Sequence, residues 1–158
     1  MINGWYPFKN RNPGFTTVVI GAGIIGMLHV EYAKQLGSRV ILVNRSAPRL
    51  ILAQKIGLPA DEFVDASKCD PVKKVKELTN GLGADVVICA ASSKEVQIES
   101  LEMAGVDADV SFFAGLPKDD PYTTLNTNLI HYNELHIHGA NGSNRKQYLK
   151  AIDLIASG

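Results

Sequence analysis

The sequence predicts a doubly wound α/β domain, in which six parallel strands form one sheet covered by helices on both faces. Three observations predict it. Short apolar, β-branched runs alternate with segments of helical period from residue 16 almost to the end. The runs are continuously apolar, as strands buried on both faces must be. Glycine, proline, asparagine and serine punctuate the junctions between them. A length of 158 residues suits a single domain, expected over residues 15–158, behind an irregular arm of residues 1–14 that includes Trp5, Tyr6, Pro7 and Pro13.

Each element has its own warrant. Thr16–Ile20 is β-rich and flanked by Gly14 and Gly21, so it reads as the first strand. Ile25, Leu28, Tyr32 and Leu36 recur at helical spacing, with Gly37 as the stop. Val40–Val43 is the second strand. The next helix starts near Ser46 with Pro48 in its first turn, and ends at Gly57. Phe63 and Val64 mark a short third strand. Asp70-Pro71 opens a helix carrying Val72, Val75 and Leu78, closed by Asn80-Gly81. Asp85–Cys89 is the fourth strand, and Ser92 or Ser93 caps a helix running to about Met103. Val110–Phe113 is the fifth strand, ended by Gly115-Leu116-Pro117. A polar connection through Asp119, Asp120 and Pro121 leads to a segment holding Leu129, and Leu135–His138 is the sixth strand. The last helix places Tyr148, Ala151, Ile152 and Ile155 on one face.

Composition narrows the function classes. Sixteen basic residues balance sixteen acidic ones, which removes the electrostatic argument for nucleic acid or an anionic membrane surface. Residues 12–30 carry no charge, but Pro13 and Gly14, Gly21, Gly23 and Gly26 break the apolar run that an anchor or signal segment needs. Two cysteines, Cys69 and Cys89, exclude a disulfide scaffold and a four-thiolate zinc site. The expectation is a cytoplasmic domain that touches neither nucleic acid nor membrane. His136 and His138 share a strand face, yet no carboxylate stands at a matching sequence spacing, so no metal site and no catalytic residue is expected. Neither cysteine has the surroundings of a nucleophile.

The sharpest motif is Gly21-Ala22-Gly23-Ile24-Ile25-Gly26, with the G-x-G-x-x-G spacing directly between a strand and a helix. In that context Gly21 permits a tight turn, Gly23 lets a pyrophosphate approach the backbone, and Gly26 lets the helix close on the strand. The helix N-terminus, from Ile24 and Ile25, offers free amides to the phosphates. This is the dinucleotide-binding pattern of a Rossmann fold. The second strand ends at Asn44, 18 positions beyond Gly26, where an acidic residue would grip ribose hydroxyls and repel a 2′-phosphate. Asn44 is neutral, and Arg45 and Arg49 follow, which favours NADP(H) with NAD(H) as the alternative. No Tyr-x-x-x-Lys pair is present, which argues against the short-chain dehydrogenases. A methyltransferase reading is weakened by the same missing acid.

Taken together these residues resemble the coenzyme-binding domain of the medium-chain, zinc-type alcohol dehydrogenases. The resemblance runs from about Pro13 to Gly158 through VVIGAGIIGMLHVEYAKQLG, RLILAQKIG, GADVVICAASS and FFAGLP. NTNLIHYNELHIHGANGS and the closing AIDLIASG resemble the sorbitol (polyol) branch. The resemblance implies that Ala90, Ala91 and Ser92 border the adenosine half of the cofactor. It implies that Ala114, Gly115 and Leu116 lie by the nicotinamide, with backbone contacts from His138 and Ala140. An Arg after a non-acidic strand end is similar to NADP(H)-using members, whereas a basic residue at the Arg49 position also occurs in NAD enzymes. The family carries its catalytic zinc on a separate domain whose ligand pattern this sequence lacks. The implied function is therefore a dinucleotide-binding domain that does not complete catalysis alone. Two other readings stay open: a nucleotide-sensing module that regulates a partner, or half of an enzyme completed in trans by a catalytic domain. The resemblance also implies a homodimer through residues about 125–140, because the sixth strand is an outer edge and holds no Lys or Pro to blunt pairing.

Overall fold

In the computed structural model, which describes residues 7, 8 and 11–156, strand and helix alternate throughout. The elements are β1 (Thr16–Ile20), α1 (Ile24–Gln35), β2 (Arg39–Asn44), α2 (Ala47–Lys55), β3 (Glu62–Asp65) and α3 (Pro71–Leu78), then β4 (Ala84–Cys89), α4 (Lys94–Met103), β5 (Ala104–Phe112), α5 (Thr127–Tyr132), β6 (His136–Gly139) and α6 (Arg145–Ala156). The six strands form one parallel sheet in the order β3-β2-β1-β4-β5-β6. The fold class is the one the sequence predicts, and the sixth strand lies at an outer edge as expected.

Successive residues of the central strands feed opposite layers. Ile41 and Val43 join the core under α3 and α4 with Val87 and Leu101, whereas Val40 and Leu42 join Val30, Ala33 and Ile88 under α1 and α2. All are essentially inaccessible to water, so both faces are dry. Strands with two dry faces need two apolar alternations at once, hence the continuous runs. Asp70 caps α3 by accepting from the Val72 and Lys73 amides. Ser93, of the two candidates, caps α4.

Four expectations need correction. The buried stripe of α1 is Gly26, His29, Val30, Tyr32 and Ala33, while Ile25 and Leu28 are exposed. The helix turns its smallest residue, Gly26, to the sheet, and that contact sets its rotation. Strand β5 starts six residues earlier than expected, at Ala104, with a register shift against β4 and a left-handed Asp107 (φ 56°). The irregularity hides the strand period. Helix α6 forms, but none of its described residues is buried, so Tyr148, Ile152 and Ile155 face solvent. Finally, carboxylates do stand opposite the strand histidines. Asp107 meets His136 at 3.1 Å and Asp109 meets His138 at 2.6 Å, across β5 and β6 rather than along one strand.

The irregular arm expected over residues 1–14 lies partly outside the described residues. Within them, Phe8 is buried and meets Tyr32 edge-on at 5.6 Å, and Arg11 donates to Asp109 at 2.7 Å and to the Asp107 carbonyl. Among the described residues no helix is long and apolar enough to cross a membrane.

Candidate functional site

Strands β1 and β4 lie side by side at the centre, with connections leading away in opposite directions, so a crevice opens at their C-terminal ends. The glycine turn occupies this point. Gly21 has φ 119°, a conformation few side chains adopt, and a Cβ on it would sit 2.9 Å from the Ala90 carbonyl oxygen. Its amide donates to the Val43 carbonyl at 2.8 Å. Gly26 is the tightest position: a Cβ there would lie 1.8 Å from the Gly21 carbonyl oxygen. Gly23 differs. Nothing lies within 4 Å of its notional Cβ, so open space faces the turn there.

The start of α1 is uncapped. Gly23 supplies no side-chain cap, and the first turn holds no acidic residue. Helix geometry leaves the leading amides, those of Ile24 and Ile25 among them, without partners in the helix. The first helical bond runs from the Met27 amide to the Gly23 carbonyl at 2.9 Å. Ile24 and Ile25 expose their side chains at this end. The result is a positive, water-accessible helix end beside a tight glycine turn.

A cleft of about 160 Å³ lies alongside, lined by Ile20, Gly21, Val43, Asn44, Arg45, Ala66, Ala91, Ser93, Val96 and Glu99. It is smaller than the roughly 300–1,000 Å³ that encloses a whole drug-sized ligand, and suits one part of an extended molecule. Asn44 does not point freely into it. Its Oδ1 accepts from the Ala22 amide at 3.2 Å and its Nδ2 donates to the Ser46 carbonyl at 3.0 Å. Arg45 is paired too, through Nη2 to Glu99 Oε1 at 2.8 Å. Arg49 is exposed on α2 and does not line the cleft.

The cleft thus gathers Gly21, Asn44, Arg45 and Ala91 from the residues singled out in the sequence. Ser92 is exposed outside it, and Ser93 takes that place. Ala90 binds back to β1, its amide donating to the Ile20 carbonyl at 2.9 Å. Ala114, Gly115 and Leu116 follow β5 along the same edge of the sheet, with His138 and Ala140 at the end of β6. The Ala114 amide is already committed to the Cys89 carbonyl at 2.9 Å, which leaves only its carbonyl for a ligand. Sequence reasoning missed Ala66, Val96 and Glu99. The available signal was the helical spacing of Ser93, Val96 and Glu99 from the cap of α4.

A parallel sheet in this order, a glycine turn at its switch point and a cleft beside it are the layout of a doubly wound nucleotide-binding fold. The model of one protein family, described as zinc-binding dehydrogenase, matches residues 25–157. The chain belongs to that family. It is 34% identical over 140 residues to a zinc-type alcohol dehydrogenase-like protein of Haemophilus influenzae, covering 89% of this chain and 39% of the relative. It is 34% identical over 148 residues to the D-arabitol-phosphate dehydrogenase of Enterococcus avium, covering 90% of this chain and 40% of the relative. Among solved structures, a Sinorhizobium meliloti protein assigned as a zinc-binding dehydrogenase and bound to NADP superposes with a TM-score of 0.84 at 28% identity, over 96% of this chain and 44% of that one. The chain therefore spans about 40% of the length of the curated relatives it matches.

Among the described residues no group of three or more His, Cys, Asp or Glu could hold a metal ion. Cys89 is buried in β4, where burial pushes its thiol up to about 11, and Cys69 is exposed, its thiol donating to the Asp65 carbonyl at 3.4 Å. His136 and His138 are held by Asp107 and Asp109.

Proposed function

We propose that this chain is the dinucleotide-binding part of an NAD(P)-dependent alcohol or polyol dehydrogenase, holding and orienting the cofactor without completing the reaction alone. The carrying observation is the uncapped start of α1 with open space over Gly23, at the switch point of the sheet. A pyrophosphate fits that space because no Cβ projects into it, and the leading amides of α1 would donate to its oxygens. The adenosine half would enter the cleft between Asn44, Arg45, Ala91 and Ser93. The nicotinamide half would extend toward Ala114, Gly115, Leu116, His138 and Ala140.

When bound, the nicotinamide supplies the hydride chemistry. This chain's residues bind the phosphates, fix the ribose and present one face of the cofactor. NADP(H) is the favoured form, since β2 ends in neutral Asn44 followed by Arg45, with Arg49 nearby; NAD(H) is the alternative. The polyol assignment draws support from the relative that is a D-arabitol-phosphate dehydrogenase. A cytoplasmic setting goes with both cysteines being free.

A homodimer through residues 125–140 completes the proposal. Strand β6 is an outer edge of the sheet with exposed His136 and Ile137. Sedimentation should show a dimer that Ile137→Pro converts to monomer; a monomeric parent removes this part. For the cofactor, thermal stabilisation by NADP+ is expected in the parent and absent in Gly23→Val, whose apo form melts as the parent does. Equal stabilisation of both proteins would defeat the assignment of the glycine turn.

A further inference from the structure

The sequence places a cation, Arg45, directly after the strand end where a 2′-phosphate would arrive, with Arg49 one turn on. The fold gives that cation a partner from a distant helix. Glu99, 54 residues further along the chain on α4, accepts from Arg45 at 2.8 Å, and both residues line the cleft beside Asn44. The carboxylate side chain is only 19% exposed while the guanidinium is 55% exposed. The packed helix therefore fixes the acid, and the acid holds the more exposed base.

This arrangement treats the two cofactors differently. A 2′-phosphate dianion binds Arg best through two parallel N–H donors. One Arg45 nitrogen already serves Glu99, so the guanidinium has fewer free donors and a partly neutralised charge to offer the phosphate. Free ribose hydroxyls meet no such obstacle, because they donate to a carboxylate. We infer that Glu99 is a positioning residue for cofactor choice, setting through Arg45 how strongly the site favours a 2′-phosphorylated dinucleotide over an unphosphorylated one. The inference rests on the dinucleotide reading above. Neither the strand-end position nor the glycine turn contains this carboxylate, so the preference is set from α4 as well as from β2.

The test is titration calorimetry of NADP+ and NAD+ against four proteins: the parent, Glu99→Gln, Arg45→Ala and the double variant. Glu99→Gln should tighten NADP+ by about fivefold and change NAD+ by less than about twofold. In the Arg45→Ala background the same change should move NADP+ by less than about twofold, the non-additivity expected of coupled neighbours. Unchanged NAD+ binding also shows that Glu99→Gln is folded. An unaltered NADP+/NAD+ ratio in Glu99→Gln overturns the inference and leaves dinucleotide binding intact. An equal shift with and without Arg45 overturns it too, since Glu99 would then act on the phosphate directly. If none of the four proteins binds either dinucleotide, the underlying reading falls and this inference with it.

Discussion

Strands β1, β2 and β4 and the pair β6–α6 come from the same alternation of apolar runs and helical periods, yet they end at opposite extremes of burial. The central strands are sealed on both faces, with Val18, Ile41, Leu42, Val87 and Ile88 inaccessible to water. In β6 every residue but half-buried His138 is exposed, and α6 has no buried residue among those described. The difference is one of neighbours. A central strand has a strand on each side and a helix above and below, whereas β6 has one flanking strand. Periodicity specifies the element. Burial depends on what lies across from it.

Breaking the centre should cost far more than breaking the edge. The largest loss is expected at the glycine turn. Gly26→Ala brings a Cβ to 1.8 Å from the Gly21 carbonyl, so urea unfolding should show a loss on the order of 3 kcal/mol or more. Helix propensity alone would have stabilised this change by about 0.8–1 kcal/mol, so its sign reports the contact. A neutral result would mean that α1 does not close on β1 as described.

A similar loss is expected from a pH change. Burial pushes His29 down to about 4, and the described structure offers neither ring nitrogen a hydrogen-bond partner; its ring stands edge-on to Phe113 at 4.5 Å. The unfolded chain takes up the proton below about pH 6.5 and the folded chain only near pH 4. Stability is therefore fully present above pH 6.5 and falls as pH drops from 6.5 to 4, by about 3 kcal/mol over that window. Denaturant midpoints across the range should flatten in His29→Ala. An unchanged slope would assign the acid sensitivity elsewhere.

The contrast itself is sharpened by a matched pair. Ile88→Ala, in β4, should lose about 2–5 kcal/mol, and Ile155→Ala, on the open face of α6, less than about 0.5 kcal/mol. A loss above 1 kcal/mol at Ile155 would show that something covers α6 in solution.

Much of this architecture was legible because its signals are local. Gly14, Gly37 and Gly57 mark turns with positive φ, Asp70-Pro71 starts a helix, and each central strand is a single apolar run. The glycine turn was legible for the same reason, since six adjacent residues carry it. What escaped depends on residues far apart in sequence. The stripe of α1 was read from its large apolar residues, whereas the close contact at Gly26 decides which side packs. Strand β5 was read short because left-handed Asp107 interrupts its period. Asp107 and Asp109 face His136 and His138 across a strand pair 29 residues apart in sequence. Glu99 enters the cleft from a helix whose own spacing shows only that it has a buried side.

Asn44 closes one evolutionary route and leaves another open. Its amide ties the Ala22 amide to the Ser46 carbonyl, so it joins the glycine turn to the start of α2. Aspartate would keep the acceptor but face the Ser46 carbonyl with no proton to give, so a strand-end acid comes with a rebuilt loop. Glu99 is anchored to α4, whose Ser93 cap is independent of the turn. If Arg45 and Glu99 govern cofactor choice as proposed, drift in that choice is easier through the helix than through the strand end, because α4 can change a side chain without disturbing the glycine turn.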